Sequence, residues 1–319
     1  MKLSHLRTFV AIADHKGVAR AAERLHLTQS AASRQISALE SELGVLLFDR
    51  VGRRVQLTSE GEDLLRRSRR LLADADLIGE RAHVLKGGQI GMLRISATSQ
   101  VIENLLVSFL ARYMKRHPGV EVRLFESGGT NQQKQLDGGE VHLAIMAAGD
   151  DRVCRWLLYP IHVLAVVPKT HRYAHRATLN ITELSDEPLL LPNGEFGSRS
   201  WFDAACDVVG IRPRVLLESG APQTLMSLAG LGYGIAIIPS NVQRLPRSVR
   251  GVPLVHRGHS IGRWSAIAWN PERYLAPYAT QFMKELIAHV RRDYPGRDLT
   301  RRAPPLLKPK ENIERLQTV

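Results

Sequence analysis

The chain has 319 residues, enough for two or three domains with cores of their own. A hydrophobic content of 44% and a charged content of 24% are ordinary for a globular protein, no run of about 18 apolar residues offers a membrane span, and two cysteines, Cys154 and Cys206, leave no disulfide framework. The N-terminal stretch is broken by His5, Arg7 and Asp14 and makes a poor signal peptide, so the cytoplasm is the expected compartment, and the net charge of +13 favours a polyanion such as nucleic acid.

Leu3, Leu6, Phe9, Val10 and Ala13 recur at helical spacing, and Lys16-Gly17 ends that helix. A second short helix is expected from Val18 to Leu25, with Ala21 and Ala22 small enough for another helix to cross closely. His26-Leu27 is a tight connection, with Leu27 as a plug for the core. Thr28 suits the N-cap of a third helix, because its hydroxyl can accept an orphan backbone N–H. The pattern is a helix-turn-helix.

The inner side of the third helix carries Ala32, Ile36, Leu39 and Leu43; the outer side carries Gln29, Ser30, Ser33, Arg34 and Ser37. A solvated face is ordinarily Glu and Lys. Short hydroxyls with one amide and one guanidinium suit close approach to a DNA major groove, where the first turns of a recognition helix meet base edges and phosphates. Gln can pair with adenine and Arg with guanine through two hydrogen bonds, each pair discriminating by about 1–3 kcal/mol. Gln29 and Arg34 are therefore the expected base readers. Ser30, Ser33 and Ser37 share their face, and Thr28 is placed for a phosphate. The competing reading is a plain three-helix core with an idle serine face.

In "LGVLLFDRVGRRVQLTSEG", Leu46, Leu47 and Phe48 are expected to close the core. Arg50, Arg53 and Arg54 flank Gly52 in a β-hairpin wing that suits the DNA backbone or minor groove, with a solvated loop as the alternative.

At this point the sequence resembles the LysR-type transcriptional regulators. The resemblance runs from "LRTFVAIADHKGVARAAERLHLTQSAASRQISALESELGVLLFDR" through "LTSEG". It rests on Phe9, Ala21-Ala22, Leu25, Thr28-Gln29-Ser30, Ser33, Leu39-Glu40, Leu43-Gly44, Leu47-Phe48, Arg50, Leu57-Thr58 and Gly61. Many members have proline where this chain has Ser30, and serine where it has Gly17-Val18.

A long helix follows from Thr58. Leu57, Leu64, Leu71, Ile78 and Leu85 are spaced by seven, with small Ser68, Ala75 and Ala82 four residues after three of them. This heptad seam calls for a partner helix. Leu64, Leu71, Ala75, Ile78 and Leu85 are expected to join two copies of the chain, as the resemblance also implies; packing on the chain's own second domain is the alternative. Arg66, Arg67, Arg69 and Arg70 point in different directions and read as a solvated flank. "KGGQIG" ends the helix.

Residues 92–295 alternate strand and helix, and the βαβαβ order of strands 93–97, 120–126 and 141–146 argues for an open parallel sheet. Segment 263–270 and the helix 272–292 are expected to return to the first lobe. Such folds bind ligands beyond the carboxyl ends of strands, where helices begin. The expected ligand-binding residues are Thr98, Ser99 and Gln100 after strand one, Ser127, Gly128 and Thr130 after strand two, Ala147, then Gly194, Phe196 and Ser219 in the second lobe. Hydroxyls and free amides at helix starts favour a small organic anion, although simple capping employs the same residues. Glu195 departs from an anion-only pocket.

No enzyme and no cofactor are expected. "GLGYG" (230–234) follows a helix rather than a strand, unlike a dinucleotide fingerprint. His171 and His175 lack a third metal ligand, and no nucleophile elbow is present. The expected domains are a winged helix-turn-helix (1–58), a linker and dimerisation helix (59–88) and an α/β two-lobed, periplasmic-binding-protein-like effector domain (91–295). The Pro-rich, basic tail (296–319) is expected to be disordered. The resemblance implies a dimer or tetramer on a partly palindromic double-stranded DNA site. It also implies that a small molecule controls DNA bending and contact with RNA polymerase. An architectural DNA-binding protein and an enzyme fused to a DNA-binding domain are the rivals.

Overall fold

The computed structural model describes residues 1–51, 54–85, 91–149, 154–194, 196–242 and 244–309. They form two compact units, one on Met1–Gly88 with the short stretch Asp137–Glu140, and one on Gln89–Leu136 with Val141–Val319.

In the first unit, α1 (Leu3–His15) buries Leu6, Phe9 and Ile12 along one stripe. In α2 (Val18–Arg24) the small Ala21 and Ala22 are buried, which lets the helices cross closely. Thr28 caps α3 (Gln29–Leu43): its Oγ1 accepts from the Ala31 backbone N–H at 3.2 Å. Ala32, Ile36 and Leu39 face the core, where Leu47 joins them and Phe9 meets Phe48 edge-to-face at 5.4 Å. Two expected core residues lie outside it. Leu43 sits in the last turn of α3, past the end of the core, and is exposed. Leu46 is 63% exposed, because the chain is already extended there and alternation sends Leu47 inward.

The expected wing is present. β1 (Phe48–Val51) and β2 (Arg54–Leu57) pair antiparallel, from Phe48 opposite Leu57 to Val51 opposite Arg54. Thr58 then starts α4 (Ser59–Leu85), donating to the Leu46 carbonyl at 2.7 Å and accepting from the Gly61 N–H at 2.8 Å. A Cβ on Gly61 would come within 2.2 Å of the Leu47 carbonyl oxygen, so the glycine of "LTSEG" is a steric requirement.

The second unit begins with β3 (Gly91–Ala97), α5 (Ser99–Val101), a π-helical turn (Ile102–Leu106) and α6 (Val107–Arg116). β4 (Val120–Glu126), α7 (Thr130–Gly138) and β5 (Leu143–Ala147) follow. The long β6 (Cys154–Pro168) leads to β7 (Leu179–Asn180), β8 (Pro188–Pro192), α8 (Gly197–Val209), β9 (Arg214–Ser219), α9 (Pro222–Gly230) and β10 (Ile235–Pro239). β11 (Val249–His256), β12 (His259–Ser260), β13 (Gly262–Trp269) and α10 (Pro277–Arg292) complete it. The strand order β4-β3-β5-β13-β6-β10-β8-β9 confirms that β13 returns to the first lobe, where it lies between β5 and β6.

The first-lobe core joins Leu93, Ile95, Phe109, Tyr113, Phe282 and Leu286. The second lobe has a cluster on each sheet face, one around Phe202 and Leu254 and one around Leu225 and Ile238. Burial on both faces explains the near-continuous apolar runs of β8 and β10, whereas the edge strand β9 leaves Val215, Leu216 and Leu217 exposed.

The expected disorder from residue 296 does not hold for 296–309. Leu299 packs on the second-lobe cluster, Thr300 is buried, and Gly296, at φ 84°, lies so near Ser240 that a Cβ would fall within 2.0 Å of its carbonyl oxygen. Composition registers proline and charge but not the carbonyls and leucines that find partners. Residues 310–319 lie outside the described residues.

Candidate nucleic-acid interface and ligand cleft

The outer side of α3 presents Gln29, Ser30, Arg34 and Ser37 to solvent, with Ser33 half-buried. Among the described residues Gln29 and Arg34 have no side-chain partner, so their donors and acceptor are free. The Thr28 hydroxyl, besides capping, lies 3.1 Å from Ser30 Oγ.

Two polar residues to which the sequence assigned no role hold this helix in place. Gln35 Oε1 accepts from the buried Thr8 hydroxyl at 2.6 Å, tying α3 to α1. Glu40 Oε1 accepts from the Leu47 and Phe48 backbone N–H groups at 2.8 and 3.3 Å, fixing where the wing begins. Nothing in the spacing marks Gln35. Glu40 stands in the quoted motif without its task being visible. Arg50 and Arg54 lie on the paired wing strands, with their side chains outside the described set; Arg53 lies outside the described residues.

On α4, Leu71 and Ile78 are 40% and 73% exposed, an uncovered apolar seam, with Ala75 half-buried between them. Leu64 packs instead on the helix-turn-helix core. The Leu85 side chain is outside the described set. Arg66 and Arg67 both pair with Asp63, at 2.7 and 2.9 Å, and Arg69 pairs with Asp14.

Strand register shows where the strand ends of the two lobes meet. Ala147, the last residue of β5, pairs with Ser265 of β13, and β13 continues to Trp264 opposite Pro160 of β6. From the other lobe, Pro239, the last residue of β10, pairs with Val163 of β6. The carboxyl ends of strands from both lobes therefore converge on residues 160–163, the geometry of an interlobe cleft. Asn104, on the π-helical turn, spans the lobes by donating to the Asn241 carbonyl at 2.9 Å.

Thr98, Ser99 and Gln100 are half-buried at the end of β3. The Ser99 hydroxyl donates to the Glu126 carboxylate, and its proton is thereby used. Ser127 Oγ accepts from Asn131 Nδ2 at 2.7 Å and Ser219 Oγ from the Ala221 N–H at 3.1 Å; each keeps its own proton for a ligand. Gly128 accepts from the Asn131 N–H at 3.3 Å. The Thr130 side chain is outside the described set, and Glu195 is outside the described residues. Ala147 and Phe196 are half-buried and Gly194 is exposed.

Two atoms at the second-lobe strand ends stand out. Among the described residues Ser198 Oγ and Asn193 Oδ1 are buried with no partner, a costly state that a ligand donor or water would relieve. Beside them Arg199 donates to the Pro192 carbonyl at 2.9 Å and to Glu218 at 2.7 Å, and pairs with Asp203. Burial pulls its guanidinium down, and the bonds from Glu218 and Asp203 outweigh that. Glu126 and Arg199 were not singled out by the sequence, since Ser99 and Glu218, which give them roles, lie 27 and 19 residues away along the chain. Among the described residues no cluster of His, Cys, Asp or Glu is fit to hold a metal, and no helix is long and apolar enough to cross a membrane.

Two family models match the chain. The one described as "Bacterial regulatory helix-turn-helix protein, lysR family" covers residues 3–62, and "LysR substrate binding domain" covers residues 86–291. The transcriptional regulator IlvR of Caulobacter vibrioides is 32% identical over 264 residues, covering 80% of this chain and 88% of that protein. The solved structure of a full-length OxyR variant from Pseudomonas aeruginosa is 24% identical, with a TM-score of 0.69 over 91% of this chain and 98% of its own. Full-length CbnR in complex with its target DNA is 23% identical, with a TM-score of 0.62 over 92% and 99%.

Proposed function

The chain belongs to the LysR family of transcriptional regulators, with a helix-turn-helix DNA-binding domain and a substrate-binding domain, and from that premise we propose how its own residues act. The α3 helix reads the major groove, with Gln29 and Arg34 on base edges. Thr28, Ser30, Ser33 and Ser37 contact phosphates or bases, and Arg50, Arg53 and Arg54 of the wing contact the backbone or minor groove. The observation that carries this reading is the pair of exposed side chains, Gln29 and Arg34, without partners among the described residues, on the first turns of an N-capped helix fastened by Gln35 and Glu40.

Two copies join along Leu71, Ala75 and Ile78, with Leu85 continuing the seam and Leu64 retained by the core of its own chain. Two such dimers occupy a partly palindromic site. A small organic anion in the cleft meets Thr98, Gln100, Ser127, Gly128, Thr130 and Ala147 from one lobe. Gly194, Phe196 and Ser219 meet it from the other, together with Ser198 and Asn193. Its effect requires that it bind one arrangement of the lobes better than another, or no equilibrium moves; the consequence is altered DNA bending and contact with RNA polymerase. The protein works in the cytoplasm and catalyses no reaction.

The test is fluorescence anisotropy with DNA from upstream of the protein's own gene and a scrambled control at equal salt. Gln29→Ala and Arg34→Ala are each expected to weaken specific binding about 5- to 150-fold, from about 1–3 kcal/mol per lost pair, and to leave the control unchanged. Equal binding to both fragments that neither substitution alters would replace base readout by charge-driven, architectural binding.

A further inference from the structure

We infer that residues 294–308 form a strap that fastens the crossing point of the two lobes and restrains their movement against each other. The strap lies beyond residue 291, where the substrate-binding family model ends.

The crossing point is narrow. His162 is the last residue of β6 to pair with β13, opposite Gly262, and Val163 is the first to pair with β10. Around it Val163 N–H donates to the Ile261 carbonyl at 2.8 Å, Ser240 N–H donates to the His162 carbonyl at 2.8 Å, and Ser240 Oγ accepts from His162 N–H at 3.0 Å. Relative rotation of the lobes must be absorbed in these few residues.

The strap touches this region along its length. Tyr294 stacks on Tyr159 of β6 at 5.3 Å, on the first-lobe core. Gly296 presses on Ser240, and Leu299 packs with Leu164 and Val166 in the second lobe. The Pro304 carbonyl then accepts from Ser260 Oγ at 2.6 Å and lies 3.4 Å from His162 Nε2. The Leu306 carbonyl accepts from Trp264 Nε1 at 3.5 Å, and the Lys308 ammonium lies 5.8 Å from the centre of the same indole. Trp264 packs against Ala148, Leu157 and Ala266, and its carbonyl accepts from the Ala148 N–H at 2.7 Å, beside the Ala147 strand end. The strap is thus tied to the first lobe at both ends and to the second between them. Rotation that carries Trp264 away from Ser260 stretches the Pro304–Leu306 segment, and its ties must break first.

Amide hydrogen exchange on the full-length protein tests this, independently of any DNA or effector. A Ser260→Ala/Trp264→Phe double variant removes the Ser260 and Trp264 donors to the strap and leaves only His162 Nε2 near the Pro304 carbonyl; a chain ending at Arg302 removes the Pro304 and Leu306 acceptors. Each is expected to exchange the Val163 and Ser240 amides at least about fivefold faster, with the α1 and α10 core amides unchanged. Adding the two substitutions to the shortened chain should bring no further acceleration. Wild-type rates at Val163 and Ser240 in the full-length double variant would make the segment a passenger and overturn the inference. So would further acceleration in the combined variant, which would show the substitutions acting on the strands directly.

Discussion

The two units put their polar residues to opposite use. On α3, Gln29 and Arg34 stand exposed with no side-chain partner among the described residues, on a helix fastened by Gln35 and Glu40. At the strand ends of the second unit the polar groups bond one another: Ser99 to Glu126, and Arg199 to Glu218 and Pro192, while among the described residues Ser198 Oγ is buried without a partner. A convex reader that meets a large, preformed surface can leave its donors in water and exchange them on contact. A concave site for a small molecule keeps its polar atoms desolvated in advance, so that a ligand lacking the matching group leaves them orphaned.

Unfolding one unit alone should have the largest effect. Phe9 is fully buried, and Phe9→Ala is expected to destabilise the first unit by about 3–5 kcal/mol, abolishing DNA binding while calorimetry still finds the second unit's transition at its wild-type temperature. A single merged transition shifted as a whole would show the units to be one cooperative body.

Acid should act on the other unit. His142 accepts the Arg94 backbone N–H on Nδ1 at 3.2 Å, and burial, then the charges of Arg94 and Arg273, push its imidazole down to about 3. The unfolded chain takes the proton near 6.5, the folded chain only near 3. This contribution is therefore whole above pH 6.5 and is lost progressively as pH falls towards 3, reaching about 3 kcal/mol by pH 4. Melting of the second unit from pH 7 to 4 should show the loss, and His142→Gln should flatten it. An equally steep curve in the variant would place the acid sensitivity elsewhere.

The smallest effect sharpens the contrast most. Ser198→Ala removes a buried hydroxyl that has no partner among the described residues, so the second unit is expected to gain about 1 kcal/mol of stability, read as a rise in its melting temperature. A fall would mean that the hydroxyl is already satisfied.

The difference between the units also decides what the sequence discloses. Much of the first is shaped by contacts close along the chain, such as Thr28 with Ala31 and Thr58 with Gly61, although the Thr8–Gln35 bond spans 27 residues and the task of Glu40 was not visible. Spacing carries such contacts, so the three helices, the cap, the wing and the seam were legible. In the second unit the order of strands and helices was legible too, and so was the return of β13 to the first lobe. The contacts that shape the cleft were not. Asn104 reaches the Asn241 carbonyl across 137 residues, and Ser260 reaches Pro304 across 44; no periodicity encodes either partner. The same blindness turned residues 296–309 into an expected loose end, and it left Ser198 as one polar residue among several at a helix start.

The position of β13 has a consequence for the protein as it is made. The strand lies between β5 and β6, yet it comes from residues 262–269, after the whole second lobe. On the ribosome the second-lobe strands through His256 are available to fold while β5 still has an open edge. The lobe translated first is thus the one completed last, and until Trp269 has emerged its apolar strands depend on chaperones, or on speed, to avoid pairing with the wrong chain.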